Sequence, residues 1–252
     1  MKIRVVVITL SVLFANFVWA ENYSPARSSN PKDVFWGDTH LHTRNSADAY
    51  TYGNKNLSPD DAYRYAQGKE LVAHNGMKVR IKTPLDFLVV ADHAEYLGGF
   101  YRYGMQDPRI KRTVIGRKWD QWTSAGEDDK IYPTFTASQV DPVSYPPFPE
   151  RLQKSIWKGV ANSADAHNKP GTFTTFSGYE WTSMINRNNL HRVVIYKDSA
   201  DKVAQMAPFS AQSSQDPREL WKFLAQYEKA TDGEVLAIPH NSNLSGGMMF
   251  PD

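Results

Sequence analysis

Leu85-Asp86-Phe87-Leu88-Val89-Val90-Ala91-Asp92-His93 is the stretch from which the fold is read. Phe87 to Ala91 is apolar without alternation, which is the pattern of a strand covered on both faces inside a parallel sheet. The run stops abruptly on an acid and an imidazole. In parallel α/β sheets, ligands gather at the carboxyl ends of the strands. Leaving Asp92 and His93 buried without partners there costs several kcal/mol, on the order given by desolvation of polar groups, and a cation is one partner that removes the cost.

The same arrangement recurs outward from this point. Val235-Leu236-Ala237-Ile238 reads as a second buried strand and ends in Pro239-His240. Val34-Phe35-Trp36 opens a short strand that runs into Gly37-Asp38-Thr39-His40-Leu41-His42. His40 and His42 are two apart, so on a strand they share a face with Cα atoms about 7 Å apart. Imidazoles on that spacing can converge on one ion, at bond lengths of about 2.0–2.1 Å, or on two adjacent ions. A lone H-x-H is more often part of a core or surface face. An Asp–His hydrogen bond tying a strand end to a loop explains one such terminus, but not three.

Glu180 lies in Gly178-Tyr179-Glu180-Trp181, close to Phe176, an apolar setting in which an unpaired acid is costly. Thr172 to Trp181 and His191 to Tyr196 are both strand-like. His191 begins its strand, so the carboxyl-end rule does not place it; a hairpin returning from Glu180 would bring the two together. Helices are expected from Ser58-Pro59-Asp60-Asp61 to about Glu70, around Pro108 to Thr123, from Glu150 to about Ala164, and over Pro217 to Ala230 behind an Asp216 cap. Residues 107–149 are rich in Trp, Tyr, Pro and charge, and beyond that second helix read as an irregular insertion. Strands alternating with helices indicate the α/β class. His74 and His167 lie in polar segments and carry no assigned role; Asp165-Ala166-His167 sits in a polar helix end.

The ends of the chain pose a separate problem. Lys2 and Arg4 precede an apolar run from Val5 to Trp19, and Val18-Trp19-Ala20 offers a cleavage site. Residues 1–20 therefore read as a signal peptide, too short for a membrane span, followed by a flexible lead-in at 21–32. The domain itself is taken as 33–252. Removing the leader takes away two basic residues and no acid, leaving 27 of each sign. A neutral chain without a basic stripe excludes non-specific nucleic-acid binding. The absence of Cys excludes disulfides and fits a periplasmic or secreted protein with a core large enough to need no staples, and no stable membrane association after cleavage. The Gly-containing stretch after the last strand reads as the interior of a longer domain, so the chain is expected to lack its C-terminal part and, as written, to be inactive if its metal sites are incomplete.

Taken in order, H-x-H on the first strand, Asp48 six residues on, Asp92-His93, Gly178-Tyr179-Glu180, a later His191 and Pro239-His240 resemble the PHP superfamily of metal-dependent phosphoesterases. The wording of residues 35–42, 91–93 and 178–181 is similar to one PHP-like branch, catalogued as domain of unknown function 3604. The resemblance implies a distorted (β/α)7 TIM-like barrel, incomplete at its C-terminus, with two or three divalent ions of zinc, manganese or iron. It implies that His40, His42 and Glu180 hold one ion; that Glu180, His191 and His240 hold another; and that Asp48 and His93 hold a third. Asp92 would be a ligand or would orient His93. No counterpart of the D-x-H motif that closes the family's pattern follows His240.

The expected activity is that of an exported metal-dependent hydrolase acting on a small organic phosphate ester through a metal-activated water. Arg192 is the first candidate for a phosphate clamp and Arg44 the second. The alternatives are hydrolysis of an amide or lactone, and an exported metal- or ligand-binding protein without turnover.

Overall fold

The computed structural model describes residues 33–250. The leader at 1–20 and the lead-in at 21–32 lie outside the described residues. Among the described residues no helix is long and apolar enough to cross a membrane.

Strand β1 (Gly37–Leu41) is followed by α1 (Ala47–Thr51), α2 (Pro59–Ala66) and a small antiparallel ribbon of β2 (Leu71–Val72) and β3 (Lys78–Val79). After β4 (Phe87–Val90) come α3 (Gly99–Gly104), α4 (Pro108–Lys111), α5 (Val114–Ser124), α6 (Thr134–Val140) and the long α7 (Glu150–His167). Then β5 (Thr174–Trp181) and β6 (Arg192–Tyr196) precede α8 (Ala200–Val203), α9 (Pro217–Thr231) and β7 (Val235–Pro239).

Five strands form one sheet in the order β1-β4-β5-β6-β7. The first three run parallel, whereas β6 is antiparallel to both β5 and β7. The α/β class stands, but the expected (β/α)7 TIM-like barrel is corrected. Such a barrel needs parallel strands throughout and hydrogen bonds closing the last strand onto the first. Here β1 and β7 are the edges of an open sheet among the described residues. The physical reason lies in the connection after Trp181. Only ten residues separate β5 from β6, and a parallel crossover needs about a dozen or more. An apolar run buried on both faces looks alike in either orientation, so connection length is the signal that decides.

One face of the sheet is covered by α2 and α7, with Tyr63, Ala66 and Ala164 packed on Leu88, Val90 and Phe173. Helix α2 starts where a capping box fixes it: the Ser58 hydroxyl accepts from the Asp61 amide while the Asp61 carboxylate accepts from the Ser58 amide. The opposite face carries Val89, Ala91, Val193 and Ile195, with Phe176 and Ile238 beside them. Gly178 lies on this face because a Cβ there would overlap Val89 and stand 3.0 Å from the Val194 carbonyl oxygen.

The segment 107–149 differs from its expectation. It holds three α-helices and a short 3-10 helix at Asp128–Lys130 rather than one helix followed by irregular chain. Thr113 breaks the expected helix by capping α5, its hydroxyl accepting from the Gly116 amide at 3.0 Å. Ile110, Ile115, Trp119 and Phe135 are buried in the main aromatic core with Trp157, Tyr179 and Trp181. The segment is thus part of the core.

Candidate metal centre

Strand direction explains why the titratable residues meet. His40 is on β1 and His42 just past its end; His93 follows β4, Glu180 is near the end of β5, and His240 follows β7. Because β6 runs the other way, its beginning lies at the carboxyl ends of its neighbours, and His191 sits there. The pairing of β4 with β5 resumes three residues beyond β4, with a bridge between His93 and Glu180 and the Ala94 amide donating to the Glu180 carbonyl at 2.9 Å.

Glu180 is the hub. It is 1% exposed. Its Oε1 stands 2.7 Å from His191 Nδ1 and 2.8 Å from His240 Nε2. Its Oε2 stands 3.2 Å from His40 Nε2, 2.8 Å from His42 Nε2 and 3.1 Å from His93 Nδ1. The His42 approach is close but lies outside hydrogen-bond geometry, which leaves that nitrogen without a partner. The second carboxylate, Asp48, lies beyond His42: each of its oxygens is 3.1 Å from His42 Nδ1, and Oδ2 is 3.5 Å from His93 Nε2.

The electrostatics follow from this crowding. Burial alone would deprotonate His42, but the hydrogen bond to Asp48 and the nearby Glu180 charge outweigh it and raise its pKa to about 10. Burial would likewise favour neutral carboxyls, yet the His93 charge and the hydrogen bonds of His191, His240 and His40 hold Glu180 well below the usual carboxylate range. Hydrogen bonds from His42 and His93 do the same for Asp48 against its own burial. A buried proton on His42 thus supplies positive charge between two carboxylates.

The donor set fits divalent cations. Ligand atoms bound at about 2.0–2.2 Å to a shared ion stand roughly 3.0–3.5 Å apart, close to the separations found around Glu180. Two groups satisfy the spacing: His40, Glu180 and His240, and separately His42, Asp48 and His93, with the ligand atoms of each within 4.8 Å of one another. His191 Nε2 and His240 Nδ1 are buried without hydrogen-bond partners. All seven expected ligands, His40, His42, Asp48, His93, Glu180, His191 and His240, are brought together; His42 approaches the same Glu180 oxygen as His40 through Nε2 and meets Asp48 through Nδ1.

Other expected residues lie apart from the cluster. The Asp92 carboxylate is buried and accepts from the Thr43 amide at 2.5 Å and the Thr43 hydroxyl at 2.8 Å, so it holds the loop after β1. Burial pushes its pKa up against those bonds. Arg192 pairs across the sheet with Trp181 and so lies on the face opposite Glu180. Its guanidinium lies 5.0 Å from the Trp221 ring centre and donates to the Leu190 carbonyl at 2.6 Å. Arg44 lies over the Tyr101 ring at 4.0 Å and donates to the Asn56 carbonyl at 2.7 Å.

Three polar residues were missed. The Ser46 hydroxyl donates to Asp48 at 2.6 Å, stands 3.2 Å from His42 Nδ1 and accepts from the His93 amide at 3.3 Å. Thr182 places its hydroxyl 2.6 Å from His93 Nδ1. Glu95 is buried and accepts from the Ala211 amide at 2.7 Å and the Thr182 amide at 3.4 Å. Proximity to ligands in the sequence (Ser46 before Asp48, Glu95 after His93, Thr182 after Glu180) was the available signal.

Residues 29–252 match the model of a family described as "Protein of unknown function (DUF3604)". The chain belongs to that family. No curated protein and no solved structure matches it.

Proposed function

We propose that the cluster is a metal centre and that the protein is an exported metal-dependent hydrolase of small organic phosphate esters. The observation that carries the reading is the convergence of five imidazoles on both oxygens of one buried carboxylate, with a second carboxylate one imidazole away. Charge and geometry of this kind suit divalent cations, and the order of the ligand-bearing segments along the chain resembles that of the PHP superfamily.

Zinc, manganese or iron ions held there, two or three in number, would supply water activation and neutralise charge on a phosphoryl group. The chain's own residues do the rest. Glu180 spans both halves of the cluster through its two oxygens. Asp48 accepts from His42 Nδ1 and so turns His42 Nε2 toward Glu180. His40 is the most exposed imidazole of the cluster, so substrate would approach past it. Thr43 and Asp92 lock the loop that carries Ser46 and leads to Asp48.

A panel of phosphomonoesters, phosphodiesters, amides and lactones, each tried with zinc, manganese and iron, tests the reading. Metal-dependent turnover of phosphomonoesters, inhibited by inorganic phosphate, is expected. Turnover confined to amides or lactones, or tight metal binding without any turnover, would overturn the phosphoesterase reading.

A further inference from the structure

We infer that Thr182 is a positioning residue that keeps His93 in the ion pocket beside Asp48 and out of the one beside Glu180. The inference rests on the metal-centre reading above and adds to it a division of labour between the two carboxylates.

His93, like His42, lies within reach of both acids. Its Nδ1 is 3.1 Å from Glu180 Oε2 and its Nε2 is 3.5 Å from Asp48 Oδ2. Left to itself, the ring can present a lone pair to either. Nδ1, however, has its hydrogen-bonding direction taken by the Thr182 hydroxyl at 2.6 Å, while its approach to Glu180 is only a close contact. The Thr182 hydroxyl sends its own proton toward the Glu180 carbonyl at 3.4 Å, so it acts as acceptor to His93. A proton is therefore held on Nδ1, and Nε2, which faces Asp48, is the nitrogen left to take an ion. A ring nitrogen's partner selects which nitrogen is free to bind a metal.

Thr182 is itself held. It is fully buried, and its backbone amide donates to Glu95, whose carboxylate also accepts from Ala211. The ring of His93 is packed between His42 and Phe135, with ring centres 4.7 and 4.9 Å away. Packing fixes the ring plane, and the hydroxyl settles which edge carries the proton. A threonine two residues beyond Glu180 is well placed for this, because it directly follows the end of β5 at Trp181.

Thr182→Val keeps the shape and removes the hydroxyl; Thr182→Ser keeps the hydroxyl. Zinc is titrated calorimetrically into the metal-free whole chain of each, in competition with a chelator of known affinity, and thermal unfolding is followed alongside. The wild type and Thr182→Ser are expected to show the same stoichiometry and affinities. Thr182→Val is expected to lose about 10–100-fold in affinity at one ion, the usual effect of removing such a support, with the remaining affinity unchanged. An unaltered titration in Thr182→Val would overturn the inference. Uniform weakening at every ion with an equal drop in Thr182→Ser would also do so, since that marks a general packing role. A wild type that takes up no zinc would overturn the metal reading and this inference together.

Discussion

Glu180 and His42 set the behaviour of the site one residue at a time. With Glu180→Gln the charge that draws in five imidazoles is gone, while shape is kept. Metal affinity is expected to fall by at least about 100-fold, as buried hydrogen-bonded charges contribute several kcal/mol, and equilibrium dialysis checks it. His42 makes a pH prediction. Its pKa is raised from 6.5 to about 10 in the metal-free fold, so the protonated ring stabilises the fold fully below pH 6.5. That contribution is lost as pH rises toward 10. The melting temperature of metal-free protein should fall over this window, and the fall should shrink in His42→Gln; an identical fall in the variant contradicts the assignment. The residues that meet in the cluster were legible because buried acids and imidazoles at strand ends need partners. Arg192 was misread for a physical reason: adjacency to His191 in sequence means the opposite face on a strand.

At the scale of elements, the strand ends act as a frame, and loops and turns lock onto it. Asp92 closes β4 and fastens the loop after β1 through Thr43, so Asp92→Ala leaves the Thr43 donors unpaired. A loss of about 2–4 kcal/mol in unfolding free energy is expected, together with weaker metal binding, by denaturant unfolding with and without zinc. Arg192→Lys instead gives up stacking on Trp221 on the far face. It should cost about 1 kcal/mol of stability and leave the zinc titration unchanged. Gly178→Ala forces a methyl against Val89 and should cost about 1–3 kcal/mol. Most elements were legible from apolar runs and caps: Ser58 and Asp216 both start helices where the sequence places them. The break at Thr113 and the third α-helix, α6, were not, since a threonine inside a helical pattern does not announce a cap.

For the molecule as a whole, the order of strands puts six chain segments at one end of a single sheet. The α/β class could be read from alternating patterns, whereas the open, mixed sheet could not, because burial hides strand direction. The short chain between Trp181 and Arg192 contained the missing information. Metal that binds only the folded chain adds stability by mass action, about 2.7 kcal/mol at 100 times the dissociation constant, so chelation should lower the melting temperature of the holoprotein. The most direct measurement is metal content per chain by plasma mass spectrometry, for wild type and for His93→Ala shown by circular dichroism to be folded. Two or three equivalents in the wild type and one fewer in the variant are expected. A wild-type chain that stays metal-free after exposure to zinc, manganese and iron, or a folded variant with undiminished content, would contradict the assignment of this cluster.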